Sequence, residues 1–316
     1  MKILANDGLA KSGINALQTA GFEVITDTVA QERLVDYINE NKVTGLLVRS
    51  ATKVRKDIID SCSSLKLIGR GGVGMDNIDV DYAREKGLHV INTPGASSAS
   101  VAELVFAHLF GMVRFLFDAN RNMPLEGDTR FKELKKSYGA GIELRGKKIG
   151  IIGFGRIGRE VAKIALGQGM EVLANDSHCN TANIDLDFYD GQKVSFKINT
   201  VSIEEVYKNS DFITVHVPHQ GKALISKKEI EMMKDNVGLI NAARGGVIDE
   251  SDLLDALESG KVRFAGLDVF VNEPTPNMKV LMTHQISMSP HIGAATLEAQ
   301  DRIGTELAEQ IESLLK

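Results

Sequence analysis

Short apolar stretches alternate with amphipathic stretches along nearly the whole chain. The apolar stretches fall into two series, residues 2–6, 22–26, 45–50, 65–69 and 88–92, and then 148–153, 171–175, 212–217, 237–243, 265–270 and 286–290. Strands that are apolar along their length, with helices between them, are typical of parallel sheets covered on both faces. The pattern therefore predicts an α/β protein with one parallel sheet for each series.

Two stretches depart from this alternation. Residues 97–122 begin with small side chains and then become strongly apolar, which predicts one long, largely buried helix that connects domains or subunits. Residues 183–199 alternate between polar and apolar side chains around Asp190-Gly191, which predicts a hairpin or a loop excursion. Beyond these, residues 294–316 form the pattern of an amphipathic helix.

Composition and charge narrow the function further. A length of 316 residues suggests two domains, and a net charge of -5 argues against nucleic acid as the main partner. No apolar run is long enough to span a bilayer, and the N-terminal residues lack a secretory signal, so we expect a cytoplasmic protein without a membrane partner. Cys62 and Cys179 are far apart and form no CxxC motif, so neither a disulfide framework nor a metal site is predicted.

A glycine-rich loop is the most informative motif. Gly153, Gly155 and Gly158 form a GxGxxG pattern between an apolar stretch and a helical pattern. Gly153 would permit the tight turn, Gly155 would let the backbone approach a pyrophosphate, and Gly158 would let helix and strand pack closely. The helix start at Arg156 and Ile157 would supply N–H donors and the positive end of the helix dipole to the phosphates. The loop therefore predicts a dinucleotide site.

An acidic residue accompanies this loop. Asp176 directly follows the apolar stretch 171–175, about 20 residues after the glycines. Dinucleotide-binding folds carry a carboxylate for the adenosine ribose at this place. A 2′-phosphate at that place would face the same carboxylate. We therefore expect the cofactor to be NAD rather than NADP.

Eight segments, in this order, make the chain similar to a known family. They are LVRSATKV, LIGRGGVGMDNIDVDYA, VINTPG, LRGKKIGIIGFGRIGREVA, DFITVHVP, LINAARGGVIDE, AGLDVFVNEP and SPHIGAAT. The chain resembles the D-isomer-specific 2-hydroxyacid dehydrogenases, and among them most closely the phosphoglycerate dehydrogenase branch.

The resemblance implies a particular domain organisation. Two doubly wound parallel-sheet domains are expected, a Rossmann cofactor domain inserted in a flavodoxin-like substrate domain. The substrate domain would be discontinuous, made of residues 1–96 and 292–316, and the NAD-binding domain would be residues 97–291. A homodimer is also implied, with the apolar helix after Ser97 as a plausible part of its interface.

The reaction that the resemblance implies needs a base, a cation and a shaped pocket. Seven histidines are candidates for the base, and His216 and His219, which flank Pro218 after a strand, stay open. The family assigns the acid/base role to His291, with Glu273 as its orienting partner. It assigns Arg244 to the substrate carboxylate and carbonyl, which suits the planar fork of a guanidinium.

Further residues are assigned by the same resemblance to the cofactor. Asp268, at the end of a strand, would accept a hydrogen bond from the nicotinamide carboxamide, although a helix cap is the simpler alternative. The other cofactor residues would lie at the carboxyl ends of strands, where open α/β sheets bind ligands. They are Val217, Pro218, Ala242, Ala243 and Gly293.

Two arginines bear on the substrate. Arg49 and Arg70 each end a predicted strand, and glycines follow the second. If both face the ligand, they supply charge for a phosphate, although two ordinary surface arginines are the alternative. The substrate-binding set predicted from the resemblance is Arg49, Ser50, Arg70, Gly71, Gly72 and Val73.

These features lead to three functional hypotheses. The first is NAD-dependent oxidation of 3-phosphoglycerate to 3-phosphohydroxypyruvate, so that the partner is a phosphorylated 2-hydroxy acid. The second is a reductase of glyoxylate, hydroxypyruvate or another 2-keto acid, and the third is a non-catalytic NAD sensor of the same fold. The residues after the His291 motif leave no room for a serine-binding regulatory domain, so serine feedback is not expected.

Overall fold

The structure, a computed structural model, describes every residue from Met1 to Lys316. The chain divides into two compact units. Unit 1 consists of Met1–Ser98 and Ala294–Lys316, and unit 2 of Ala99–Gly293. The sequence-based division after residues 96 and 291, with its functional labels for the two parts, stays a prediction.

The strands, numbered along the chain, are β1 (Lys2–Ala5), β2 (Glu23–Ile25), β3 (Val43–Val48), β4 (Leu67–Arg70), β5 (His89–Asn92), β6 (Lys148–Ile152), β7 (Glu171–Asn175), β8 (Thr181–Asp187), β9 (Lys193–Asn199), β10 (Phe212–Val215), β11 (Val237–Asn241), β12 (Val262–Leu267) and β13 (Ile286–Met288). The helices are α1 (Lys11–Thr19), α2 (Leu34–Asn41), α3 (Lys56–Ser61), α4 (Val80–Glu85), α5 (Ser98–Val113), α6 (Leu116–Glu126), α7 (Phe131–Ser137), α8 (Arg156–Gly167), α9 (Ile203–Asn209), α10 (Lys227–Met232), α11 (Glu250–Glu258), α12 (Met278–Met282) and α13 (Leu297–Leu315).

Unit 1 contains a five-stranded sheet in the order β2-β1-β3-β4-β5. All of its strand pairs are parallel. This is the strand order of flavodoxin-like folds, in which ligands bind beyond the carboxyl ends of the strands. The α/β class and the parallel sheet predicted from the sequence are confirmed for this unit.

The helices α1 and α13 pack against each other through two glycines. A Cβ on Gly13 would lie 2.6 Å from Cα of Gly304, which is too close for any carbon contact. Below this pair, Ile303, Leu307 and Ile311 join Ile3 in one buried cluster. The two helices can therefore approach only because neither carries a side chain at this point.

Replacing Gly13 by alanine is expected to destabilise unit 1 by about 1–3 kcal/mol, the usual range for overpacking a tight contact. The matched control is Gly167→Ala in α8, where an added Cβ meets nothing within 4 Å. That control should be neutral or stabilising by up to about 1 kcal/mol, since alanine favours helices over glycine. Urea denaturation followed by circular dichroism measures both changes, and equal stability of the two variants would contradict the prediction.

Unit 2 contains a six-stranded sheet in the order β13-β12-β11-β10-β6-β7. All of its pairs are parallel, as predicted. The order of strand addition reverses at β6. The chain first adds β7 on one side of β6, and then adds β10 and β11–β13 on the other side. Such a switch point opens a crevice at the carboxyl ends of the strands.

The single long helix predicted over residues 97–122 is wrong. The structure has two helices, α5 and α6, bent by 57° at a short break. Phe115 at the break adopts φ 57°, the left-handed region, which cannot continue an α-helix. The second helix has no fully buried residue, and it contacts the core that α5 helps to form only through the partly buried Phe117.

No single helix reaches the length and apolar character that a membrane crossing requires. The bent pair α5 and α6 meets those criteria by length and composition alone.

The alternating stretch forms a hairpin, the first of the two interpretations given by the sequence. Strands β8 and β9 pair antiparallel, with Thr181 opposite Asn199 and Asp187 opposite Lys193. Ala182 and Ile184 are buried against the core of unit 2, whereas Val194 and Phe196 on the partner strand are exposed. The hairpin is therefore fixed to the unit by its first strand.

Candidate active site

The glycine loop joins β6 to α8 at the switch point of the sheet. Gly153 adopts φ 97°, and a Cβ there would lie 2.6 Å from the carbonyl oxygen of His216. A Cβ on Gly158 would collide with the carbonyl oxygen of Gly153. A Cβ on Gly155, by contrast, would meet nothing within 4 Å. The first and third glycines therefore serve close packing, and the second leaves open space at the helix start.

Asp176 follows β7 and bonds to this loop. One carboxylate oxygen accepts from the backbone N–H of Phe154 at 2.7 Å, and the other accepts from the N–H of His178 at 2.8 Å. Each oxygen keeps a second lone pair for another donor. The carboxylate is therefore held in place beside the glycine loop, with acceptor capacity to spare.

A cavity of about 820 Å³ lies beside these residues. Its lining includes Gly153, Gly155, Asp176, Val217 and Pro218, all of which the sequence assigned to the cofactor. The volume falls within the usual range of small-molecule and cofactor sites.

The imidazole of His216 also lines this cavity. Its Nδ1 is buried without a partner, while Nε2 lies 3.0 Å from the Thr214 hydroxyl. Burial lowers the pKa of His216 to about 3, so the ring is neutral at physiological pH. An unpaired buried polar atom favours a ligand that brings its own polar groups. The open space at Gly155, the acceptor at Asp176 and this imidazole together fit an adenosine dinucleotide.

Changing Asp176 to asparagine is expected to lower the preference for NADH over NADPH by about 10- to 100-fold, because hydrogen bonds to charged groups contribute about 1.5–3 kcal/mol. The asparagine amide has one acceptor oxygen where the carboxylate has two, and it carries no charge to repel a 2′-phosphate. The ratio of kcat/KM values for the two cofactors measures the change, with Asp185→Asn, at an exposed residue of β8, as control. An unchanged ratio would show that another residue selects the cofactor.

Arg244 lies in the turn after β11. The buried Asn241 side chain donates to the carbonyl oxygen of Arg244 at 2.8 Å and accepts from the N–H of Ala243 at 3.0 Å. The guanidinium Nη1 donates to the carbonyl oxygen of Ala243 at 2.7 Å. The backbone around Arg244 is thus fixed by a side chain that the sequence analysis did not single out. Ala242 and Ala243 lie in the same turn.

This turn packs against the loop after β12. A Cβ on Gly245 would collide with the carbonyl of Phe270. The N–H of Phe270 in turn donates to Oε1 of Glu273 at 3.0 Å. Close backbone packing therefore connects the Arg244 turn to the loop that carries Glu273.

Glu273 and His291 form a hydrogen-bonded pair. Oε2 of Glu273 lies 2.7 Å from Nδ1 of His291, and about a third of each side chain is exposed, 34% and 35% respectively. A carboxylate only accepts hydrogen bonds, so Nδ1 carries the proton and Nε2 is left with its lone pair. His291 is thereby oriented as a proton acceptor at Nε2.

Asp268 is buried and anchors the backbone around His291. Its Oδ1 accepts from the N–H of Ile292 and its Oδ2 from the N–H of Gly293, both at 2.8 Å. Its main-chain oxygen accepts from the N–H of His291 at 2.8 Å. These bonds hold His291 at φ 54°, an uncommon conformation for a residue with a side chain.

Unit 1 carries the residues predicted for the substrate. Arg49 directly follows β3, and Arg70 ends β4, where it lies opposite Val48 in the register. Asp7 accepts from the N–H of Arg49 at 2.6 Å, and Asn77 donates to the carbonyl oxygen of Arg49 at 2.8 Å. The loop that contains Arg49 and Ser50 is therefore pinned from two sides by residues that the sequence analysis missed.

Arg70 is placed differently from Arg49. A Cβ on Gly72 would collide with the guanidinium of Arg70, so this group lies against its own glycine loop. The same loop is tied to β5, since Asn92 donates to the carbonyl oxygen of Val73 at 2.7 Å and Thr93 donates to that of Gly72 at 3.1 Å. Gly71, Gly72 and Val73 thus form a fixed turn at the carboxyl edge of the sheet.

The comparisons with known proteins agree on one family. The model of the D-isomer specific 2-hydroxyacid dehydrogenase NAD binding domain matches residues 106–293. Hydroxypyruvate reductase of Thermotoga maritima is 42% identical, over 98% of this chain and 97% of its own length. D-3-phosphoglycerate dehydrogenase of Methanocaldococcus jannaschii is 40% identical, over 100% of this chain and 58% of its own length. The chain thus spans little more than half the length of that relative.

Solved structures agree with this result. A glyoxylate reductase from Paecilomyes thermophila has a TM-score of 0.82 and 28% identity, with 100% of this chain and 95% of that chain covered.

Proposed function

Because this chain belongs to the D-isomer specific 2-hydroxyacid dehydrogenase family, we propose that it is the one of these NAD-dependent enzymes that oxidises 3-phosphoglycerate to 3-phosphohydroxypyruvate. The observation that carries the choice of substrate is in unit 1. Two arginines lie at the carboxyl ends of adjacent strands there, and the backbone of Arg49 is pinned by Asp7 and Asn77. Guanidinium groups carried on a fixed backbone at strand ends suit a phosphate.

The proposed mechanism assigns one task to each residue. Arg244 binds the substrate carboxylate and polarises the oxygen at the reacting carbon, because its guanidinium offers paired donors. His291 accepts the hydroxyl proton at Nε2, and Glu273 stabilises the imidazolium that forms. NAD, when bound, would supply the hydride acceptor for that carbon. In the reverse direction His291 returns the proton to the carbonyl oxygen.

The cofactor residues are proposed to hold NAD along the carboxyl edge of the sheet. The α8 start at Arg156 and Ile157 faces the pyrophosphate and Asp176 the adenosine ribose. Val217, Pro218, Ala242 and Ala243 line the cofactor, while Asp268 and Gly293 face the nicotinamide carboxamide. In this proposal the three bonds that Asp268 accepts hold its carboxylate ready for the carboxamide.

A second candidate substrate is hydroxypyruvate, the same carbon skeleton without the phosphate. It is favoured by the relative from Thermotoga maritima, which matches this chain over almost its full length. Such a substrate would need Arg244 but no second cation.

The deciding experiment compares kcat/KM for 3-phosphohydroxypyruvate and hydroxypyruvate with NADH, in the parent protein and in Arg49→Ala. A phosphate ligand predicts a preference for the phosphorylated acid that falls about 10-fold or more in the variant, since one charged hydrogen bond contributes about 1.5–3 kcal/mol. Lys53→Ala, an exposed residue of the same loop, is the control. Equal use of both acids, unaffected by Arg49→Ala, would favour the second candidate.

The proposed assembly is a homodimer in the cytoplasm. The helices α5, α6 and α7 expose large apolar side chains, among them Leu125 (76%) and Phe131 (56%), more than a free surface usually carries. A second copy that covers this face would bury them. Light scattering after gel filtration should give a dimer that Leu125→Glu and Phe131→Glu convert to a monomer. A monomeric parent protein would refute the proposal.

A further inference from the structure

A line of buried polar groups crosses the apolar core of unit 2. It begins at Ser287 on β13, passes through His108 on α5, continues to Ser289 and ends at Asp268. The three distances are 2.8 Å from Ser287 Oγ to Nδ1, 2.9 Å from Nε2 to Ser289 Oγ, and 2.6 Å from Ser289 Oγ to Oδ1 of Asp268. His108 is 5% and Asp268 1% exposed, so water has little access to these two residues, and Ser289 between them is half-buried.

The direction of each hydrogen bond follows from the carboxylate end. Asp268 accepts from two backbone N–H groups and from the Ser289 hydroxyl. The proton of Ser289 is therefore engaged, and its oxygen must accept from His108, which requires a proton on Nε2. The Nδ1 atom of a neutral ring is then bare and accepts from the Ser287 hydroxyl. The geometry thus determines the tautomer of His108.

The ring needs to be neutral for this arrangement. Burial lowers the pKa of His108, and the nearby Asp268 carboxylate only partly opposes that effect. A Cβ on Gly266 would lie 2.9 Å from Cβ of His108, so α5 rests directly on β12 at this point. The imidazole is therefore held in a tight position and with one proton.

We propose that His108 is a positioning residue, whose Nε2–H orients the Ser289 hydroxyl toward Asp268 and thereby fixes the turn that presents His291. The role rests on the proposed function, in which His291 is the base. Asp268 binds the N–H groups of His291, Ile292 and Gly293 through its main-chain and side-chain oxygens. A carboxylate that rotates would release a turn held at the unfavourable φ of His291.

Three variants separate this role from simple space filling. Glutamine can place an amide N–H near Nε2, asparagine reaches only the position of Nδ1, and leucine fills the space without polar atoms. We expect kcat to fall about 10-fold in His108→Asn and His108→Leu but at most about 3-fold in His108→Gln, since only glutamine keeps a donor for the Ser289 oxygen. Ser289→Ala should resemble the asparagine variant, and Ser287→Ala should have a smaller effect.

A space-filling role predicts a different order. Leucine would then be the best replacement, and kcat would follow thermal stability across the series. Leucine equal to or better than glutamine would overturn the proposal.

The tautomer is tested without any turnover. Nitrogen-15 NMR of histidine-labelled protein, free of cofactor and assigned with His108→Gln, should show a protonated Nε2 and an unprotonated Nδ1 at pH 7. The opposite tautomer or a doubly protonated ring would overturn the proposal. If the protein turned over no 2-hydroxy acid, the proposed function would fail. The spectrum would still test the hydrogen bonds of His108, so the two failures are distinguishable.

Discussion

Replacing His291 by alanine is expected to lower kcat by about two to four orders of magnitude, the usual contribution of a general acid–base catalyst. The affinity for NADH should change by less than about two-fold, because the backbone N–H groups of residues 291–293 still bond to Asp268. In the proposed mechanism the imidazole receives the proton, and its Nδ1 bond to Glu273 leaves Nε2 of the neutral ring as the acceptor. Steady-state kinetics measures kcat, and isothermal titration calorimetry measures the affinity for NADH.

The control for this variant is His284→Ala, an exposed histidine that precedes β13. It should retain full activity. Glu273→Gln should give an intermediate loss, since the amide still meets the ring but no longer stabilises its charged form. A His291→Ala protein with near-normal kcat would mean that another group moves the proton, and the neutral His216 would be the next to test.

Arg244→Gln is expected to lower kcat/KM by about two to four orders of magnitude, because two hydrogen bonds from a charged donor are lost at about 1.5–3 kcal/mol each. Both KM and kcat should be affected, since in the proposed mechanism the residue binds the carboxylate and polarises the reacting carbonyl. The stability should change little, because Asn241 holds the turn through the backbone of residues 243 and 244.

Arg244→Lys is the informative companion. It keeps the charge but loses the planar fork, so kcat/KM should still fall by more than about 10-fold. Arg84→Gln, at an exposed arginine of α4, controls for the loss of one positive charge. Full activity of Arg244→Gln would exclude the residue from substrate binding, whatever the cofactor affinity.

Most of the sheet architecture could be predicted from the sequence, because buried parallel strands are continuous apolar runs. The glycine loop could be predicted as well, since its first and third glycines answer local steric demands, as the collision at Gly158 illustrates. The break at Phe115 could not. Neither glycine nor proline stands there, and a left-handed phenylalanine leaves no mark in the pattern of apolar residues.

The polar groups behind the site could not be predicted from sequence patterns either, for a different reason. His108 and Ser287 are 179 positions apart, and only the packing of α5 on β12 and β13 brings them together. A histidine inside an apolar helix was nevertheless a usable signal, because a buried polar side chain needs a partner. Asn241, Asp7 and Asn77 carried no such signal, since polar residues at strand ends and in loops are usual.

The split of unit 1 between two distant segments has a consequence for synthesis on the ribosome. Strands β1–β5 emerge first, but Ile303, Leu307 and Ile311, which complete the cluster around Ile3 and Leu17, are translated only after the whole of unit 2. The nascent chain therefore carries an apolar surface that waits for α13, while unit 2, whose residues are contiguous, can complete its core beforehand. During that interval the exposed apolar surface of the early strands favours aggregation.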